Sequence, residues 1–199
     1  MIPKAKKKLH ACKQYLENLL KSKHFEEVEI ILEAFVNSAR NVTFVLQKEF
    51  KKNPRFKKWY GDSKKELEEG TKQYEMKNDE LCKFFKDLRN KIIKEGINGL
   101  VGSIVIRSIN TNKDYPNRPA GADLNIGLKG VYFHINKGTS KEDLIPAPLR
   151  KGITQAITLN NPPTQHLGQK IEKPNLFIIM KLYYKYLENL VEEWTGILG

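Results

Sequence analysis

Apolar side chains recur every three or four residues through three long stretches of this chain, the spacing that places them on one side of an α-helix. Across residues 26–50 the stripe is Val28, Ile31, Leu32, Phe35, Ala39, Val42, Leu46 and Phe50. Across residues 174–196 it is Leu176, Met180, Tyr183, Leu187, Leu190 and Trp194, spaced 4, 3, 4, 3 and 4 apart. Such a seam closes a bundle or builds a dimer interface. The third stripe, across residues 79–95, holds Leu81, Phe85, Leu88, Ile92 and Ile93, with Arg89 set among them. A guanidinium held against apolar surface is costly unless it is paired. Arg89 is therefore expected to meet a carboxylate, a cluster of backbone carbonyls or a bound phosphate. On the long helix next to it, Glu33 and Glu49 are the candidate carboxylates.

The remaining helical signals are shorter. Leu9, Cys12, Leu16, Leu19 and Leu20 mark an amphipathic helix over residues 4–21, which begins with Lys4, Lys6, Lys7 and Lys8. Pro54 opens a short segment over residues 55–60, where cations lie beside Trp59 and Tyr60. Basic and aromatic residues in this arrangement either hold phosphates and stack bases or anchor a short helix. A second stripe on the long helix, Glu33, Asn37, Arg40, Phe44 and Gln47, is a solvated face or a contact surface toward RNA or a dimer mate.

After Gly96 the period changes from helical to alternating. Residues 104–109 are β-branched, Leu124, Ile126 and Leu128 alternate with polar or small residues, and Phe133 and Ile135 flank His134. Lys129-Gly130 suits a hairpin turn, and Ile153, Ile157 and Leu159 mark a further strand. Six prolines, Pro116, Pro119, Pro146, Pro148, Pro162 and Pro163, favour turns and irregular chain here. Pro174 then opens the last helix. A single domain over residues 1–199 is expected. Its helical part spans residues 4–96 and 174–196, with a β-rich insertion over about residues 100–170.

With 40% hydrophobic and 29% charged residues, the chain fits a globular protein rather than a disordered one. Its net charge of +12 is uneven. Residues 1–100 carry 23 basic and 15 acidic side chains, and residues 101–199 carry 12 and 8. Such a field attracts polyanions, nucleic acid among them. No apolar run is long enough to span a bilayer. His10, Lys13, Gln14 and Glu17 interrupt the first apolar stretch, which argues against a signal peptide. A cytoplasmic location and no membrane partner are expected. Cys12 and Cys82 read as buried free thiols. The four histidines lack metal-ligand spacing, and there is neither a phosphate-binding glycine loop nor a Gly-x-Ser-x-Gly elbow. No metal or cofactor is expected.

The segment over residues 84–96, FFKDLRNKIIKEG, contains the pair Arg89-Asn90. Asn90 and Lys94 lie four apart on one side of the helix, and Gly96 suits its stop. Together with residues 35–46, this segment resembles HEPN-like domains, small helical bundles found in RNA-cleaving toxins and phage-defence proteins. Their signature is an arginine, a polar residue such as asparagine, and a histidine five to seven positions after the arginine. Here the fifth position after Arg89 is Lys94. The resemblance covers about residues 26–96.

It implies a mainly α fold, a HEPN-like antiparallel helical bundle with a small antiparallel β insertion before the C-terminal helix. It also implies a homodimer and an RNA-directed role of toxin–antitoxin or phage-defence type. Metal-independent RNA cleavage needs a base for the 2′-hydroxyl, an acid for the leaving oxygen and a cation for the developing charge. Two readings stay open. One is a divergent metal-independent endoribonuclease with Arg89, Asn90 and Lys94 as catalytic residues. The other is a catalytically inactive RNA-binding or protein-interaction module, an antitoxin or scaffold. The RNA contacts are assigned to Arg40, Arg55, Lys57, Lys58, Trp59 and Lys91. His134 and His166 are the distant histidines available to supply the missing base.

Overall fold

A computed structural model of the chain describes residues 2–22, 24–62, 68–96, 99–106, 111–127, 130–148 and 153–198. The fold is mainly α. The helices are α1 (Pro3–Lys21), α2 (Phe25–Phe50), α3 (Pro54–Tyr60), α4 (Lys72–Asn78), α5 (Glu80–Glu95), a single turn α6 (Thr111–Asp114) and α7 (Leu176–Leu198). The strands are β1 (Leu100–Ile106), β2 (Asp123–Gly127), β3 (Gly130–Ile135), β4 (Asp143–Pro146), β5 (Ile153–Leu159), β6 (Gln165–His166) and β7 (Gln169–Lys170). Among the described residues no helix is long and apolar enough to cross a membrane. The contacts divide the chain into a helical unit and a β unit, with the hairpin β6–β7 in the helical one.

The helical unit is held by the stripes read from the sequence. Leu32, Phe35, Ala39, Val42 and Leu46 of α2 are buried, as are Leu81, Phe85 and Leu88 of α5. All six residues of the α7 seam are buried as well. Phe85 stacks on Tyr183 with ring centroids 4.2 Å apart and planes 8° from parallel. Trp194 is fully buried among Phe50, Phe56 and Trp59, with centroids 5.2, 4.9 and 5.4 Å away. Burying this much aromatic surface stabilises the unit strongly enough to leave the Trp194 indole N–H without an acceptor. The apolar face of α5 ends earlier than the sequence predicts. Ile92 is only half-buried and Ile93 is 56% exposed.

Helix ends follow local chemistry. The Asn53 side chain accepts from the Arg55 and Phe56 N–H groups, and Pro54 occupies the first turn of α3. Gly96 adopts φ 66° at the end of α5, a left-handed conformation that costs glycine little. Helix α4 is absent from the sequence-based reading. It buries none of its residues, so it has no apolar stripe to reveal it, although Thr71 caps it by accepting from the Tyr74 N–H.

In the β unit, β1 pairs antiparallel with β5, from Leu100 opposite Leu159 to Ile106 opposite Ile153. A second antiparallel sheet has the order β2-β3-β4. Its core is Tyr115, Ala122, Val131, Phe133 and Ala147. Residues 107–109, expected to continue the first strand, and residues 128–129, expected to reach the hairpin turn, lie outside the described residues.

One carboxylate joins α5 to the β6–β7 hairpin within the helical unit. Asp79 caps α5 by accepting from the Cys82 N–H at 2.9 Å. It also accepts from the Leu167 N–H at 2.7 Å, and both its oxygens lie 3.1 Å from His166 Nδ1. Glu80 reinforces the join by accepting from the Thr164 N–H at 2.7 Å. Burial alone would raise the Asp79 pKa, but the bonds from His166, Leu167 and Cys82 outweigh it and hold the carboxyl at about 2 against an ordinary 3.8. Because the folded value is depressed, this stabilisation is complete above pH 3.8 and is lost as the pH falls through about 2. Asp79→Asn is expected to cost about 2 kcal/mol at neutral pH. The difference between variant and wild type should shrink as urea melts are repeated from pH 5 down to about 2. A difference constant over that range would show that the carboxylate is not the source.

Candidate functional site

Two members of the polar stripe on α2, Arg40 and Gln47, and the arginine on α5 face one cleft of about 330 Å³. Arg40 and Gln47 are seven residues apart, two helical turns, so they project from the same side of α2. Across from them α5 presents Lys86, Arg89 and Asn90. Helix α4 contributes Gln73 and Lys77. Buried Phe85 and Tyr183 line the apolar side. Among the described residues no Asp, Glu or His lines this cleft.

The two guanidiniums differ in how they are held. Arg40 Nη1 donates to Thr43 Oγ1 at 2.8 Å, and Arg40 Cζ lies 6.0 Å from the centroid of the Phe44 ring. Arg89 is half-buried and makes no ion pair or side-chain hydrogen bond with a described residue. The expected bridge to Glu33 or Glu49 does not form, and Glu49 instead pairs with Lys4 at 3.0 Å. A half-buried guanidinium without a protein partner keeps its planar fork of donors free for an oxyanion. Two of them facing one cleft repel each other until an anion enters, and a phosphate is matched to both.

The titratable groups that burial shifts in this cleft are poor general bases. Burial pushes the Cys82 thiol up, and the Asp79 carboxylate near it pushes the same way. Burial also raises the phenols of Tyr60 and Tyr183. None of these groups is ionised near neutral pH, so the site can hold charge without drawing off a proton.

The structure brings Arg89, Asn90 and Arg40 together and places the other expected residues elsewhere. Lys94 and Lys91 are exposed and outside the cleft. His166 is tied to Asp79, ten residues before Arg89 on α5, roughly 15 Å along the helix axis. His134 belongs to the β unit, where its Nε2 lies 2.5 Å from Glu142 Oε1. Arg55 is exposed and donates to the Ile197 carbonyl at 3.5 Å, Lys57 pairs with Asp62 at 3.0 Å, and Lys58 is exposed. Trp59 is half-buried, donates its indole N–H to Glu193 at 3.3 Å and stacks against Trp194. It anchors α3 to α7.

Gln73, Lys77 and Lys86 were missed by sequence reasoning. The first two sit on α4, which has no apolar stripe, and Lys86 reads as one surface lysine among many. Gln47 was legible only as a member of the polar stripe. Among the described residues no group of three or more His, Cys, Asp or Glu is arranged to hold a metal.

These features define a mainly α protein whose helical unit carries a cleft lined by two arginines and two lysines. The family model described as bacteriophage lambda protein ea47 matches residues 2–189, and the chain belongs to that family. Neither the curated proteins nor the solved structures yield a match.

Arg89→Met tests whether the guanidinium serves the fold. With no partner to lose and a like charge removed from beside Arg40, the substitution is expected to leave the melting temperature unchanged or raise it by a few degrees. A loss of more than about 1 kcal/mol in a urea melt would instead mark Arg89 as a structural cation.

Proposed function

We propose that this protein is a HEPN-like, RNA-directed helical bundle that binds RNA through the phosphate of a strand seated in the Arg40–Arg89 cleft. The observation that carries the reading is the presence of two half-buried guanidiniums in a cleft that no carboxylate of the described residues lines. The arginine-asparagine pair of the motif lies at that cleft, which supports the resemblance at its most informative residues. The toxin–antitoxin or phage-defence setting is what the HEPN-like resemblance implies, and the family description adds only the name of a bacteriophage lambda protein.

Binding is the better-supported activity. Lys94, assigned to catalysis with Arg89 and Asn90, stands outside the cleft, and no other group there serves as a base. Cleavage would require the second copy of a homodimer to bring one.

The test is fluorescence anisotropy with a labelled single-stranded RNA across a salt series, with a metal-free cleavage assay in parallel. The expected result is binding that weakens as salt rises and no cleavage. Arg89→Ala and Arg40→Ala should each weaken binding by about tenfold or more. No binding at low salt removes the proposal. Metal-free cleavage abolished by Arg89→Ala would replace it with the endoribonuclease reading.

A further inference from the structure

A second cleft of about 350 Å³ adjoins the first. The two share Gln47, Tyr60 and Gln73 as common wall, and Gln47 Nε2 donates to the Tyr60 hydroxyl at 2.7 Å. The second cleft lies between α2 and α3 and is lined by Phe44 and Lys48 of α2, by Lys51 in the turn that follows α2, and by Lys57 of α3. Lys57 is engaged with Asp62, whereas Lys48 and Lys51 are exposed and make no ion pair with a described residue. Phe44 is 53% exposed, in a helix whose other phenylalanines are buried or half-buried. Leaving that much aromatic surface in water forgoes burial energy.

Phe44 is placed between the two clefts. Its ring lies 6.0 Å from Arg40 Cζ on the side of the first cleft, and it lines the second. The order along α2 and into the turn after it is therefore arginine, aromatic, amide, lysine and lysine at positions 40, 44, 47, 48 and 51. An exposed π-face with cations on both sides is how sequence-tolerant binders hold an unpaired strand, with a base on the ring and the phosphates on the charges. A duplex cannot use such a ring, because its bases are already stacked and paired.

Resting on the RNA reading above, we propose that the Phe44–Lys48–Lys51 cleft is a second nucleotide subsite. It stacks one unpaired base of a single-stranded RNA on Phe44 and takes the neighbouring phosphate on Lys48 and Lys51, while the preceding phosphate occupies the Arg40–Arg89 cleft. The strand crosses the Gln47–Tyr60 wall between the two.

The experiment uses the full chain, a labelled six-nucleotide single-stranded RNA and a duplex RNA as a second probe, read by anisotropy across a salt series. Phe44→Ala is expected to weaken single-strand binding by about tenfold with the salt slope unchanged, because stacking releases no counterions. Phe44→Trp should retain or tighten it. Lys48→Ala/Lys51→Ala should weaken binding and lower the slope by about 1.4. The control with the same charge change is Lys6→Ala/Lys7→Ala, two exposed lysines of α1 outside both clefts, which should change little. All five side chains are exposed, so melting temperatures should match wild type and folding does not confound the result.

Several results overturn the proposal. The subsite is wrong if Phe44→Ala binds as wild type does, if both lysine pairs weaken binding equally, or if duplex binds as tightly as single strand. In each of these cases Arg89→Ala still reports separately on the RNA reading. If wild type binds no RNA at low salt, that reading fails and the subsite falls with it.

Discussion

The stacking of Phe85 on Tyr183 determines where α5 lies against α7, and the rest of the candidate site depends on it. Both rings are buried. A contact at 4.2 Å with nearly parallel planes fixes the rotation of α5 about its own axis. With Leu81, Phe85 and Leu88 turned inward, Lys86, Arg89 and Asn90 are carried to the edge of the core, where α5 faces Arg40 and Gln47 of α2. Rotating α5 by one residue would take Arg89 out of the cleft and bring another side chain into the stack. The same apolar packing that stabilises the helical unit therefore places its least comfortable cation.

That cation is left without a counter-charge. The chain contains 23 acidic residues, and several make ion pairs elsewhere, Glu49 with Lys4 and Asp62 with Lys57 among them. Among the described residues none lines the cleft with Arg89. A protein optimised only for stability would place a carboxylate there or replace the arginine with an apolar residue. The guanidinium at the core edge, with a second one lining the same cleft, is the arrangement on which the proposed RNA binding rests.

His166, which meets the start of α5, is occupied there. His166 is held by Asp79 at the start of the helix, where the same carboxylate caps α5 and grips the β6–β7 hairpin. Removing that imidazole for catalysis would break a structural join. Its place at the opposite end of α5 from Arg89 separates the part of the helix that holds the fold together from the part that faces the cleft.

The three long helices, the odd position of Arg89, the basic excess and the shift to strands after Gly96 were legible in the sequence, because each is a matter of period or composition. The pairing of Arg89 was not. Helical spacing placed Glu33 and Glu49 on the neighbouring helix but could not say that Lys4 would take Glu49. Helix α4 was not legible either, since a helix that buries nothing leaves no stripe, and with it went Gln73 and Lys77. Trp59 and Phe44 show the same division. Both are aromatics amid cations in the sequence, yet Trp59 is locked against Trp194 while Phe44 faces water. The sequence by itself determined which faces are apolar and where the positive charge accumulates, since those are properties of local order along the chain. Only the tertiary structure decided which cations share a cleft, which carboxylates are spent elsewhere and which aromatic remains free, because those depend on side chains brought together from distant parts of the chain.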